Sequence, residues 1–508
     1  MRPAGHRAPS PAPPAAPTPP ATDRPHVLLD RRTRILRRGG VVRVLGGAPV
    51  TLITPAPSVA GLLDGGRAVA TDTPAGAALA RALTDRGMAH PAGPVSADRP
   101  LDGVAVVVPV RDDADGVAAL ARTLAPELAR GVHLVVVDDG STPPLTVPLS
   151  PARAPDPPVT LLRHAHSRGP AAARNAGTSA AVEAGAEVVV YLDADVLPLP
   201  GWLDILLARL DDPLVAAVAP RVVAAEPGRF WVRGYETARS ALDMGPEPAR
   251  VRPRTRVAYV PSAALAVRPD RLPPAPAGGG AGPFDERMHV AEDVDLCWRI
   301  DDAGGRIRYE PAARVAHRHR TGVRALLARR AYYGRGAAPL AARHGADVAP
   351  AVAAPWSLAV AVGVWSANPL GTVVALGAVA RAWWRTRALT GDGRAAAELV
   401  ARGAGASIRQ FPEALLRPYW PITAAALALT AGSRGRIARA LHRRLVVAAA
   451  AEGLWHWWSA REPGRWPVDE PVGHVLLHRL DDLAYGAGVW RSAVTERSPA
   501  ALRPELTR

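Results

Sequence analysis

Apolar and polar positions change rhythm twice along the chain, after a start that has no rhythm at all. Residues 1–24 carry closely spaced prolines and little to bury, which predicts a disordered tail. From 25 to 98 the pattern is short. HVLLDRRTRILRRGGVVRVLGG (26–47) reads as strands broken at Gly39-Gly40 and Gly46-Gly47. SVAGLLDG (58–65) and PAGAALARALTDRGMAH (74–90) read as two helices. In the second, apolar positions recur at Ala78, Leu79, Leu83 and Met88, and Gly87 is a stop. Strands followed by two helices predict a small separate module.

Residues 101–325 alternate strand and helix. GVAVVVPV (103–110) is an apolar run of the kind a buried parallel strand requires. ADGVAALARTLAPELARG (114–131) reads as a helix, HLVVVDDGS (133–141) as a strand, GPAAARNAGTSAAVEAGA (169–186) as a helix with Pro170 in its first turn, and EVVVYLDADV (187–196) as a strand. This rhythm predicts a three-layer α/β domain. After 326 the chain reads as helical and apolar. Residues 348–380 and 418–433 hold no charged side chain, and LVVAAAAEGLWHWW (445–458) ends in a tryptophan cluster.

Composition qualifies this picture. The 508 residues are 48% apolar and 21% charged, so most of the chain should be globular. The 62 basic residues are all arginine, against 46 acidic ones, a net charge of +16. With so much Ala, Pro and Gly this looks like the coding bias of a GC-rich genome, so the charge does not single out nucleic acid. Phosphate ligands or an anionic membrane suit it equally. No segment of the small module carries a clustered basic helix face with base-reading side chains, and no nucleic-acid partner is expected. A single cysteine, Cys297, excludes internal disulfides and a Cys-based zinc cluster. The N-terminus lacks the apolar core of a signal peptide, which predicts a cytosolic start.

Three acidic groups fall at element ends: Asp138-Asp139, Asp193 with Asp195, and Glu292-Asp293. Ligands of open α/β sheets bind at the carboxyl ends of strands, where the first two groups lie. Asp193 and Asp195 form a D-x-D pair, whose hard oxygens suit Mg²⁺ or Mn²⁺ carrying substrate phosphates. Asp138 or Asp139 can accept a hydrogen bond from a nucleobase N–H. Each group also has a plain reading, as turn chemistry or as helix-capping acids.

The ordered set VVVPVRDD (106–113), VVVDDGS (135–141), RGPAAARNAG (168–177), YLDADV (191–196) and PFDERMHVAEDVDLCWRI (283–300) resembles the family 2 glycosyltransferases. The resemblance implies a GT-A nucleotide-diphospho-sugar domain over 101–325. It also implies roles: Pro109 beside the nucleotide, Asp138 and Asp139 at the base, Arg174 along the nucleotide, Asp193 and Asp195 on the metal, and Asp293 as general base. Glu292 and Arg299 would position the base or the acceptor, and His317, in RVAHRHR (314–320), would meet the metal or diphosphate. Processive synthases of this family carry a Q-x-x-R-W signature that is absent here; RRAYYGRG (329–336) occupies the region.

Residues 25–98, with V-L-L-D at 27–30 and L-L-D-G-G at 62–66, resemble PqqD-like winged-helix modules, which bind leader peptides. The whole arrangement resembles the mycofactocin-system glycosyltransferases of actinobacteria. That implies transfer of glucose from UDP-glucose, with inversion, to build a short β-1,4-glucan on pre-mycofactocin, and a peptide or biosynthetic partner at the N-terminal module. The alternative is a rhamnosyl- or galactosyl-type transferase acting on a lipid-linked cell-envelope glycan. Residues 326–508 are expected to associate with the cell membrane, the catalytic domain lying on the cytoplasmic side. Residues 348–380 could span, turn as a hairpin near 368, lie on the surface, or pack as a soluble bundle.

Overall fold

The computed structural model describes residues 25–97, 99–146, 159–226, 231–319, 322–366, 368–460 and 471–507. The predicted tail, 1–24, lies outside the described residues.

The N-terminal module contains β1 (His26–Leu29), β2 (Arg34–Arg38), β3 (Val41–Gly46), β4 (Thr51–Ile53), α1 (Pro57–Ala60), β5 (Ala68–Ala70), α2 (Pro74–Thr84) and β6 (Ala89–Pro91). They form two small sheets, β5-β1-β6 and β2-β3-β4. Gly39 and Gly40, both at positive φ, close the β2–β3 hairpin, which needs two such residues in a two-residue turn. Thr73 caps α2, its Oγ1 accepting from Gly76 N at 3.0 Å. The predicted helix over 74–90 therefore stops short. Gly87 turns the chain at φ +65°, and the last residues join β6 instead. Val27, Val44, Leu63, Val69, Leu83 and Met88 fill the module's core.

The central domain contains β7 (Val104–Val110), α3 (Ala114–Thr123), α4 (Ala125–Leu128), β8 (His133–Asp138), β9 (Val159–Arg163), α5 (Pro170–Glu183), β10 (Val188–Leu192) and β11 (Val196–Pro198). It continues with α6 (Trp202–Leu210), β12 (Val215–Ala224), α7 (Trp231–Arg239), β13 (Ala249–Arg250), β14 (Ala264–Val267), α8 (Glu292–Asp302) and β15 (Arg306–His317). The predicted helix 114–131 is broken at Leu124, because Pro126 cannot donate to the preceding turn. Strand order is β11-β15-β12-β14-β10-β7-β8-β9, with β13 on β15, among the described residues. β10, β7, β8 and β9 run parallel, and β14 is antiparallel to both neighbours. Apolar side chains cover both faces of the sheet, as its continuous Val runs demand.

The C-terminal region contains α9 (Val323–Gly334), α10 (Ala337–His344), β16 (Val352–Ala353), α11 (Pro355–Ser366), α12 (Pro369–Thr390), α13 (Gly393–Leu416), α14 (Trp420–Thr430), α15 (Arg436–Ser459), α16 (Pro471–Thr495) and β17 (Glu505–Leu506). α16 packs on α9 through glycines. A Cβ on Gly488 would meet the Ala331 carbonyl oxygen, and one on Gly334 would meet that of Tyr485. Tyr235 of α7, Leu326 of α9 and Leu477 of α16 share one small core, which fastens this region to the central domain. The uncharged run 348–380 divides between α11 and α12, and Asn368 caps the second helix, its Oδ1 accepting from Gly371 N at 2.8 Å. Among the described residues no helix is long and apolar enough to cross a membrane, so the spanning reading of this run finds no support.

Candidate active site

β7, β8 and β10 end side by side, and α8 begins opposite them. Between these ends lies a cleft of about 870 Å³. Pro109 lines it at the end of β7, Asp139 just after β8, Asp193 and Asp195 after β10, Glu292 and Asp293 at the start of α8, and His317 at the end of β15. The alternating pattern brings these acids together because parallel strands share one carboxyl edge.

The two acids at the end of β8 part company. Asp138 is 1% exposed and holds the turn: it accepts from Ser141 N at 2.8 Å and Leu145 N at 3.2 Å, and pairs with Arg163. Asp139 faces the cleft. Its Oδ1 accepts from Arg168 N (2.8 Å) and lies 2.8 Å from His164 Nδ1; its Oδ2 accepts from Ser167 Oγ (2.7 Å) and Gly169 N (2.9 Å). Burial pushes this carboxyl up, but these hydrogen bonds outweigh it and hold Asp139 below the usual carboxylate range.

Asp193 and Asp195 keep 34% and 41% of their side chains open. Asp195 Oδ2 lies 3.3 Å from His317 Nε2. Against the cost of burial, His317 and Arg318 hold Asp195 ionised. Two hard carboxylates and an imidazole facing one cleft make a donor set that fits Mg²⁺ or Mn²⁺. His317 closes β15 opposite Val196.

Arg174 is buried inside the wall. Its Nη2 donates to Asp193 Oδ1 at 2.7 Å and its Nη1 to Glu292 Oε1 at 2.9 Å, while its guanidinium sits 5.6 Å from the centre of the Phe284 ring. The side chain thus ties the D-x-D loop to α8. Arg299, further along α8, bonds Asp295 and the carbonyls of Pro273, Pro274 and Pro283, which anchors the loop before the helix.

Asp293 has a different setting. Its Oδ1 accepts from Val294 N at 2.8 Å and its Oδ2 from Ser262 N at 3.3 Å, and it has no salt bridge among the described residues. Burial first, and the neighbouring Glu292 charge second, push its carboxyl up to about 7. Ala291 enters α8 at φ +63°, a backbone state that costs about 1–3 kcal/mol and is retained beside this pair. A carboxyl that titrates near neutrality in a cleft suits proton transfer.

Sequence reasoning missed several residues of the cleft. Tyr259, His289, Tyr332, Tyr333, Glu236 and Arg330 line it as well. Glu236 lies 3.3 Å from His319 Nδ1 and accepts from Arg330 at 2.7 Å; Arg330 lies 2.9 Å from Asp481, which also accepts from Tyr235 at 2.8 Å. This buried seam carries the polar wall from β15 into α16. The Glu236–Arg330–Asp481 chain joins three separate elements and has no local pattern to find.

The family model for glycosyl transferase family 2 matches residues 105–269. The chain is 40% identical over 490 residues to the pre-mycofactocin glycosyltransferase of Mycobacterium tuberculosis, in both strain CDC 1551 / Oshkosh and strain ATCC 25618 / H37Rv, covering 94% of this chain and 97% of the relative. A polypeptide N-acetylgalactosaminyltransferase 6 from Bos taurus is 29% identical over 213 residues, 37% of this chain and 32% of its own. Among solved structures, a mannosyltransferase from Pyrobaculum calidifontis in complex with GDP-Man and Mn²⁺ is 22% identical, with a TM-score of 0.34 over 69% of this chain and 86% of the other. The central domain is therefore a family 2 glycosyltransferase domain with a GT-A-like fold, and the protein is a hexosyltransferase. Over 94% of its length the chain matches the mycobacterial relative, and it belongs to the pre-mycofactocin glycosyltransferases.

Proposed function

We propose that the protein transfers glucose from UDP-glucose to pre-mycofactocin with inversion, building a short β-1,4-linked chain. The observation that carries this reading is the juxtaposition of an open D-x-D pair and a proton-titrating Asp293 across one cleft, linked through Arg174. Near-complete coverage of the mycobacterial relative supports the acceptor.

Asp139 and Pro109 border the base and sugar of the nucleotide. Asp193 and Asp195, with His317 beside them, would hold Mg²⁺ or Mn²⁺, which when bound supplies positive charge to the departing diphosphate. Arg174 keeps Asp193 and Glu292 in register. Asp293 accepts the proton of the acceptor hydroxyl as that oxygen attacks the anomeric carbon, and one direct displacement inverts the centre. The resemblance of residues 25–98 to PqqD-like modules supports a peptide or biosynthetic partner there, and β1 to β6 supply short strand edges for it.

The C-terminal helices dock on the cytoplasmic face of the cell membrane. Most exposed large apolar side chains of the described residues follow Val323, among them Leu370, Leu376, Trp384, Leu429 and Ile437. Arg387 lies over Trp383 and Trp384, a pairing that suits an anionic interface.

The test is the mass of pre-mycofactocin after incubation with enzyme, divalent cation and UDP-glucose. A gain of one or more hexoses, lost on chelation and in Asp195→Ala, is the expected result. Transfer to a lipid-linked glycan with none to pre-mycofactocin would overturn the acceptor assignment.

A further inference from the structure

Away from the cleft, α15 and α16 bring together a second set of metal-competent side chains. Glu452 and His456 stand four residues apart on α15, and His478 and Asp482 stand four apart on α16. That spacing puts each pair on one helix face. Glu452 Oε1 lies 2.9 Å from His456 Nε2 and 3.0 Å from His478 Nε2, and Asp482 Oδ2 lies 3.7 Å from His478 Nε2. The ligand atoms of Glu452, His456 and His478 all fall within 4.8 Å of one another. Tetrahedral ligands held ~2.0–2.2 Å from an ion stand roughly 3.3–3.5 Å apart, so only small shifts separate this cluster from a coordination shell.

Two further observations favour a ligand over a set of internal hydrogen bonds. Among the described residues, His456 Nε2 is buried and makes no well-aligned hydrogen bond, despite its closeness to Glu452. Glu452 also divides its two oxygens. Oε2 meets Arg479, whereas Oε1 faces the two imidazoles, so a cation there leaves the Arg479 pair in place. Glu413, whose side chain is half-open, lies 3.6 Å from His456 Nε2.

We propose that Glu452, His456 and His478 form a site for one divalent transition-metal ion of the zinc class. Two imidazoles against one carboxylate favour such an ion over Mg²⁺ or Mn²⁺, which ask for mostly oxygen ligands. The ion staples α15 to α16, the helix that also holds Asp481 of the seam behind the cleft. It is chemically distinct from the ion expected at Asp193 and Asp195.

Cobalt(II) titration of chelator-treated full-length protein tests this. The expected result is one equivalent bound with the strong visible absorption of a tetrahedral nitrogen–oxygen site, displaced by zinc, with a rise in Tm. His478→Ala and His456→Gln should lose the band, while Asp195→Ala keeps it. His456 is the least buried ligand, so its variant decides if His478→Ala does not fold. Absence of the band in the wild-type protein overturns the proposal, and so does a band that survives His456→Gln and His478→Ala or disappears in Asp195→Ala.

Discussion

At the scale of single residues, Glu292 and Asp293 are adjacent but differ in setting. Glu292 is neutralised by Arg174 at 2.9 Å, whereas Asp293 is buried with only two backbone donors and titrates near neutrality. A base with a raised pKa is protonated below that pKa, so kcat/KM should climb as pH rises through about 7 and then level. Asp293→Asn should bind UDP-glucose nearly normally yet lose transfer by roughly a hundredfold or more, the low end of ~10²–10⁴ for general-base catalysis. Calorimetry reads the binding and hexose incorporation reads the rate; near wild-type transfer would move the base to Glu292. Arg174→Ala should behave differently. It leaves Glu292 buried and unpaired, a loss of about 3–5 kcal/mol for a broken buried pair, which a urea melt would report. Most of these residues were legible because each sits in a contiguous motif at a strand or helix end. Which of Asp138 and Asp139 faces the cleft was not. That depends on where Arg163 and Leu145 fall, and these lie outside the motif.

At the scale of elements, strands were easier to read than helices and their contacts. Val runs announced β7, β8 and β10, since a strand buried on both faces has no room for polar residues. β9 and β6 lacked that signature, being part-exposed or very short, and went unread. Helix packing was illegible for another reason. The Glu236–Arg330 pair joins residues 94 apart, and no periodicity encodes a partner at that distance. The α9–α16 crossing shows the same limit: Gly334 and Gly488 look like helix weaknesses in sequence, yet they let two backbones touch. Gly488→Ala should therefore destabilise by about 1–3 kcal/mol, as overpacking does, although alanine favours helix. A lowered Tm checks this. An unchanged or higher Tm would mean that the crossing can open without loss.

At the scale of the whole molecule, the central domain leaves few large apolar side chains open and the C-terminal helices leave many. Leu370 is 74% exposed, Leu429 83% and Ile437 87%, on three different helices. Side chains of this size, left open in numbers beside arginines, mark a surface meant for something apolar. Among the described residues no helix is long and apolar enough to cross a bilayer, and the proposed membrane contact is a lateral one. Lateral docking also agrees with the charge, because both flanks of the uncharged 348–380 run can then stay on one side with the arginines. The protein should accordingly sediment with vesicles rich in anionic lipid, bind neutral vesicles less, and lose much of that binding in high salt as the arginine contribution is screened. Replacing Leu370, Leu376 and Trp384 together with polar residues should weaken vesicle binding while leaving hexose transfer to a soluble acceptor unchanged, since none of the three lines the cleft. Undiminished sedimentation of that triple variant would place the docking face elsewhere. Vesicle-independent behaviour of the wild-type protein would instead assign these helices to a protein partner.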